Sequence, residues 1–225
     1  MVKNDTRTLG YVLRRTNYGE ADRILNLITP LGKMSVIAKG VRKEKSKLAG
    51  GIEMFSLTDF NIHQGRGNMG TVTGTKMIKY YSEILRDFNR LEIAGAILKK
   101  ISLVSENSDN PEYFKITDQC LKGLNDGLNL GLIEGWFLLN TSRAIGEEIN
   151  LYRDDKGRKL SAEKKYLWDC AGATFFESDR GDYGENEIKM LRMMVTVELK
   201  IASRIKIDEE TMDKVLKLIR TATRV

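Results

Sequence analysis

The chemistry of this chain is most concentrated between Lys33 and Lys47, in KMSVIAKGVRKEKSK. Lys33, Lys39, Arg42, Lys43, Lys45 and Lys47 crowd this stretch, and Glu44 is its only acid. Lysine and arginine attract phosphate whatever the nucleotide sequence, releasing counterions as they bind. The first half alternates, with Met34, Val36 and Ala38 on one face and Lys33, Ser35 and Lys39 on the other. That is the period of a half-buried strand. Gly40 ends the strand and a basic loop follows. A face that is apolar below and basic above suits a polyanion. The competing account is an edge strand whose lysines only discourage pairing with another chain.

The charge distribution bears on that choice. Residues 1–79 hold fourteen basic and six acidic side chains, a surplus of eight, whereas the whole chain carries +6. The remainder is therefore slightly acidic, and nearly all the positive field belongs to the first third. Such asymmetry is expected of a nucleic-acid-binding module joined to a near-neutral partner. On charge alone Arg15, Arg66 and Lys76 join the candidate phosphate contacts. Tyr11, Tyr18, Phe55 and Phe60 lie in the same third. Several of these aromatics must be core, and Tyr18 is the one we assign to base stacking.

Other residue types point away from catalysis. Gly65-Arg66-Gly67-Asn68-Met69-Gly70 matches G-x-G-x-x-G, but that fingerprint needs a helix after it to face the pyrophosphate. Thr-Val-Thr-Gly-Thr follows instead, so a hairpin loop is expected, with Arg66 at its tip. His63 is the only histidine, and no nucleophile or orienting partner accompanies it. Glu147-Glu148, Asp154-Asp155 and Glu209-Glu210 read as cap or turn residues rather than a metal or acid/base pair. Cys120 and Cys170 form no CxxC pair, and with one histidine they cannot supply four zinc ligands at the usual spacing. No metal, cofactor or enzymatic activity is expected. The Trp136–Phe137 pair reads as core packing.

The elements that must position the cations follow from periodicity. Strands are expected around Leu9, Tyr11 and Leu13 (closed by Arg14 and Arg15), over Arg23 to Thr29, from Lys33, over Met54 to His63, and over Thr71 to Lys79. Pro30-Leu31-Gly32 makes a tight antiparallel connection. Five short strands in about eighty residues fit a small closed barrel of the OB type, whose open face binds single strands. After Tyr80 the period changes to about 3.6. One long helix or two abutting ones are expected from Ile84 to Val104, then a helix begun by Asn110-Pro111, and another carrying Ile133, Trp136, Phe137, Ile145 and Ile149. Residues 152–164 lack a period, and Trp168 to Phe176 is compatible with a short hairpin. Helices over Glu185 to Ile205 and from Asp208 to Thr223 complete the chain, the latter capped by Asp208. The fold class is thus α+β, an OB-fold over 1–80 and a helical domain over 81–225 with an irregular insert near 152–180. The N-terminus lacks an apolar signal core and no apolar run reaches membrane-spanning length, so a reduced, cytoplasmic protein is expected.

The segment VLRRTNYGEADRILNLITPLGKMSVIAKGVRKEKSKL resembles the N-terminal signature of the RecO family of bacterial recombination mediators. The matching residues are Val12-Leu13-Arg14, Tyr18-Gly19-Glu20-Ala21-Asp22-Arg23-Ile24-Leu25, Thr29, Gly32-Lys33, Ala38-Lys39-Gly40, the basic loop and Ser46. The resemblance implies an OB-fold followed by helices, binding of single- and double-stranded DNA, annealing of complementary strands, and assistance in loading RecA onto DNA coated by single-strand-binding protein. It implies RecR and the acidic C-terminal tail of the single-strand-binding protein as partners, the tail docking on the helical domain, and no catalysis. Its DNA-facing positions map to Arg14, Lys33, Lys39, Arg42, Lys43, Lys45 and Lys47. Gly19, Gly32 and Gly40 map to backbone geometry rather than contact. Many members carry a four-cysteine zinc module where this chain, between Tyr152 and Arg180, retains only Cys170, so no metal is expected there. Two other classes compete: an adaptor whose helical domain docks an acidic peptide on a scaffolding barrel, and a metal-dependent nuclease, which would need clustered carboxylates.

Overall fold

Alternating strands and short turns in the first eighty residues wrap into a ring. In this computed structural model residues 5–65, 67, 69–106 and 108–223 are described. The strands are β1 (Asp5–Tyr18), β2 (Asp22–Thr29), β3 (Gly32–Ala38), β4 (Ser56–His63) and β5 (Gly70–Tyr80). β1, β2 and β3 form an antiparallel meander, β4 pairs with both β1 and β5, and a short parallel contact from β3 to β5 closes the barrel. Full closure removes the unpaired edges of an open sheet. The β2–β3 turn is set locally: the Thr29 hydroxyl donates to the Gly32 carbonyl (2.9 Å) and accepts from Leu31 N–H (3.1 Å). Gly32 has φ +99° and a Cβ there would lie 2.8 Å from the Asp109 backbone, so only glycine fits. The barrel core comprises Val12, Leu25, Leu27, Val36, Phe60, Ile62 and Val72, with Val41 and Ile52 closing it.

β1 is longer than the alternation of Leu9, Tyr11 and Leu13 suggests, and it carries a bulge. Val12 pairs with Leu27 but Arg14 pairs with Asn26, leaving Leu13 as the extra, buried residue. One inserted residue inverts the facing of everything after it. Tyr11 faces the outer wall before the bulge, and Arg14, Thr16 and Tyr18 face it afterwards. Without the bulge, Arg14 would point into the core.

The chain divides into two compact units, 1–125 and 126–225. In the first, the stretch expected to hold one long helix or two abutting ones is a 3-10 turn (Ser82–Arg86) followed by α1 (Phe88–Val104), divided where Asp87 caps α1 by accepting Arg90 N–H at 3.0 Å. α2 (Glu112–Asn125) begins after Pro111, with the Asn110 side chain accepting Glu112 N–H at 3.0 Å. Both helices pack on the barrel. The Tyr11 hydroxyl donates to Asp118 of α2 (2.7 Å) and lies 3.0 Å from that of Tyr81, while its ring meets Phe114. Burial, then these neighbours, raise the Tyr11 pKa far above the ordinary tyrosine value.

In the second unit α3 (Leu130–Ala144), α4 (Glu185–Thr196) and α6 (Glu209–Ala222) pack together. α3 stops before the expected Ile145 and Ile149, because Gly146 takes φ +86° and its N–H bonds back to the Arg143 carbonyl. The helix expected over Glu185 to Ile205 breaks at Val197, where the backbone is extended, and a single turn, α5 (Leu199–Ala202), follows. The break is tertiary in origin: Asn140, Arg143 and Trp136 of α3 donate to the carbonyls of Met194 (2.9 Å), Val195 (2.7 Å) and Val197 (3.0 Å). Side chains thus satisfy carbonyls that a continuing helix would have used. Asp208 caps α6 as expected, accepting Thr211 N–H at 2.8 Å. Between α3 and α4, β6 (Tyr166–Asp169) and β7 (Thr174–Glu177) form the hairpin over the apolar patch.

Candidate nucleic-acid interface

The pairing of β1, β2 and β3 lets the outer wall be read in rows. Arg14, Asn26 and Ser35 lie side by side, then Thr16, Ile24, Ile37 and Thr71, then Tyr18 and Asp22. Lys39 continues the β3 side of this face two residues beyond Ile37. The middle row presents two half-buried isoleucines, and the outer rows present polar and charged groups. Ser35 Oγ donates to Asn26 Oδ1 at 3.1 Å.

The basic loop closes one end of this wall. It is not a free tether. Val41 is buried in the barrel core, the Arg42 N–H donates to the Ala21 carbonyl (2.9 Å), and the Gly40 N–H donates to the Asp22 carboxylate (2.7 Å). Gly40 takes φ +64°, the left-handed turn that lets the chain leave β3 and double back. Lys39, Arg42, Lys43, Lys45 and Lys47 are all exposed, as is Arg14 on the wall. None of these six cations makes an ion pair with another described residue. Arg42 reaches only the Gly19 carbonyl, at 3.3 Å. A cluster of exposed cations without carboxylate partners keeps its field for an outside anion.

The structure separates the remaining candidates from this group. Arg15 has inward parity and pairs with Glu53 (2.9 Å), with a side chain about one quarter exposed. Lys33 is on the outer wall, but its ammonium is held by the Ser102 carbonyl (2.7 Å) and Glu106 beside α1, and only 10% of its side chain is exposed. The helices cover that end of the face, so the Lys33 charge is engaged within the fold, unlike those of the loop. Lys76 is exposed on β5, in register with Asp59, whose carboxyl the hydrogen bonds from Arg7 hold below the usual range. Arg66 lies outside the described residues. β5, not a helix, follows Gly70, so the glycine-rich stretch lacks the phosphate-binding helix of a dinucleotide site. Of the four aromatics, Tyr11, Phe55 and Phe60 are buried and Tyr18 is 56% exposed beside the loop anchor. His63 is exposed at the end of β4, facing Asp5 at 2.7 Å.

Residues 1–81 match the family described as Recombination protein O N terminal, and residues 85–224 match Recombination protein O C terminal. The chain belongs to the RecO family. The DNA repair protein RecO of Roseiflexus sp. (strain RS-1) is 34% identical over 147 residues, which are 65% of this chain and 52% of that protein. The DNA repair protein RecO of Dehalococcoides mccartyi (strain CBDB1) is 28% identical over 232 residues, covering 98% of this chain and 90% of the relative. That of Listeria monocytogenes serotype 4a (strain HCC23) is 26% identical, covering 94% and 86%.

The residues of this RecO-family chain do not fit the zinc ion of the cysteine-rich members. Cys170 is exposed at the β6–β7 turn, and among the described residues no group of three or more His, Cys, Asp or Glu could hold a metal. The hairpin is organised instead around Phe175, whose ring meets Trp168, Tyr183 and Tyr166 edge-on at centroid distances of 5.0, 5.9 and 6.3 Å. Asp154 ties the preceding turn, accepting Arg158 N–H (2.8 Å), Lys156 N–H (3.0 Å) and Arg158 Nε (2.7 Å). Among the described residues no helix is long and apolar enough to cross a membrane.

Sequence reasoning placed Ser35 on the face with Lys33 and Lys39 but missed Thr16, Ile24, Asn26 and Ile37 as its members. Counting by twos from Lys39 back through the Pro30-Leu31 turn would have found those on β2 and β3. The β1 members needed the bulge.

Proposed function

We propose that this protein is a non-enzymatic DNA-binding protein of recombinational repair. It binds single- and double-stranded DNA through the outer wall of β1–β3 and its basic loop, anneals complementary strands, and assists RecA loading onto DNA coated by single-strand-binding protein. One observation carries the reading: six exposed cations that make no ion pair among the described residues, Arg14, Lys39, Arg42, Lys43, Lys45 and Lys47, frame an open strand face beside an exposed Tyr18. Phosphates would take the cations, and bases or sugars would rest against Ile24, Ile37 and Tyr18. The relatives named DNA repair protein RecO support this assignment. A role without catalysis is supported by the carboxylate pairs, of which Asp154 holds a turn and Glu210 pairs with Lys214.

The test is a salt series of full-length protein on labelled single- and double-stranded oligomers. Neutralising Lys43, Lys45 and Lys47 together should weaken binding alike on all sequences. It should also flatten the slope of log affinity against log salt, by about 0.9 for each duplex phosphate no longer neutralised. An unchanged slope removes the loop from the interface.

RecR and the acidic tail of the single-strand-binding protein are the proposed protein partners, with RecA engaged indirectly. A groove of about 470 Å³ between α4 and the start of α6 supports the tail. Met190, Met193, Ile205 and Ile207 line it together with Lys206, Asp208 and Lys189, which pairs with Glu185. The apolar side chains and Lys206 would suit an acidic peptide with apolar side chains.

A further inference from the structure

Among the described residues, Asp22 is the acid that faces the interface from within the β1–β3 wall, and its hydrogen bonds give it a purpose. We infer that Asp22 is a positioning residue that holds the basic loop in its phosphate-binding arrangement; the inference rests on the DNA-binding reading above. Its carboxylate accepts the Gly40 N–H at 2.7 Å, at the residue where the chain turns out of β3. The same Gly40 offers its carbonyl to the Lys43 N–H at 3.1 Å, and the Lys43 carbonyl accepts the Ser46 N–H at 3.0 Å. A chain of hydrogen bonds therefore runs from Asp22 through Gly40 and Lys43 to Ser46, setting where Lys43 and its neighbours project. The Lys43 stem also passes over Gly40, its Cδ 3.8 Å from where a Cβ would be. Val41 fixes the loop to the core but leaves its direction of exit open, and the Asp22–Gly40 bond together with the Arg42–Ala21 bond sets that direction.

The positioning role reverses the sign that electrostatics alone would give. Removing an acid from a cationic surface raises its attraction for phosphate. Removing the acceptor that orders five cations lowers it, because the loop must then be ordered at the cost of binding. Asn retains an acceptor for Gly40 without the charge, and Ala retains neither. Binding of a fluorescent single-stranded oligomer by the full chain, between about 50 and 200 mM salt, separates the two. Expected is wild-type or slightly tighter affinity for Asp22→Asn and a loss on the order of 5-fold for Asp22→Ala. Limited trypsin digestion without DNA should cut after Arg42, Lys43, Lys45 and Lys47 faster in Asp22→Ala than in Asp22→Asn. Asp22→Val likewise removes the acceptor, with a side chain suited to a strand, and carries the same expected loss should Asp22→Ala not fold. Equal or tighter binding by the alanine variant, or equal weakness in the asparagine variant, overturns the inference. If the wild type shows no salt-dependent binding, the DNA reading itself fails, and the trypsin contrast then decides the anchor independently.

Discussion

Lys33 in β3 and Lys39 just past its end are six residues apart on the same side of the wall, and they do opposite things. The Lys33 ammonium is engaged by Ser102 and Glu106 at the end covered by α1, whereas Lys39 is exposed at the end that opens beside the loop. The same wall is divided along its length. At the covered end Tyr11, Ile28 and Lys33 are buried or tied down; at the open end Arg14, Thr16, Asn26, Ser35 and Lys39 face outward. Residue type places a cation on the wall, but the neighbouring helix decides whether it belongs to the fold or to a ligand.

The sharpest way to break this contrast is to remove the cover. Residues 1–80 alone should fail to melt cooperatively, because Tyr11 and Ile28 would meet water, while residues 1–125 should melt as a unit. Circular dichroism on the two fragments decides it, and matching melts would mean that the helices are dispensable to the barrel. Next in size, Lys33→Ala should destabilise by about 2 kcal/mol and leave the salt slope of DNA binding unchanged. Lys39→Ala should leave stability unchanged and lower the slope by about 1. An exchange of these outcomes would erase the division of the wall. Tyr18→Ala should weaken single-strand binding by about 1 kcal/mol, and duplex binding less, since only unpaired bases are free to stack; equal losses on both would remove stacking.

Of similar size is the effect expected at Tyr11, where Tyr11→Phe should cost about 1 kcal/mol by removing the donor to Asp118 Oδ1 and leaving that carboxylate to Lys122. It also carries a pH signature. Because the folded-state pKa of Tyr11 is raised, its contribution is complete below the unfolded value and is lost as pH rises beyond about 10. Thermal melts of the wild type should therefore fall at alkaline pH more steeply than those of Tyr11→Phe.

Much of the barrel was legible because strand alternation and turn residues are local. Period two fixed the inward set of Val36, Phe60 and Ile62, and Pro30-Leu31-Gly32 marked the tight turn. The loop cations were legible for the same reason: Arg42, Lys43, Lys45 and Lys47 follow a strand-ending glycine with one acid among them and no apolar period to bury them. The bulge at Leu13 was not legible, since no glycine announces it and its effect lies in the pairing with β2. Nor was the break at Val197, which depends on three α3 side chains 52 to 61 residues away in sequence from the carbonyls they meet.

The sequence by itself determined five strands, the turns between them and a surplus of positive charge at the amino-terminal end, because these depend on neighbours along the chain. Only the tertiary structure decided which cations are available, turning Arg14 outward through a bulge, pairing Arg15 with Glu53 and holding Lys33 beside α1. The physical reason is that a charge is free or spent according to the groups packed around it, and those groups are brought together only by folding.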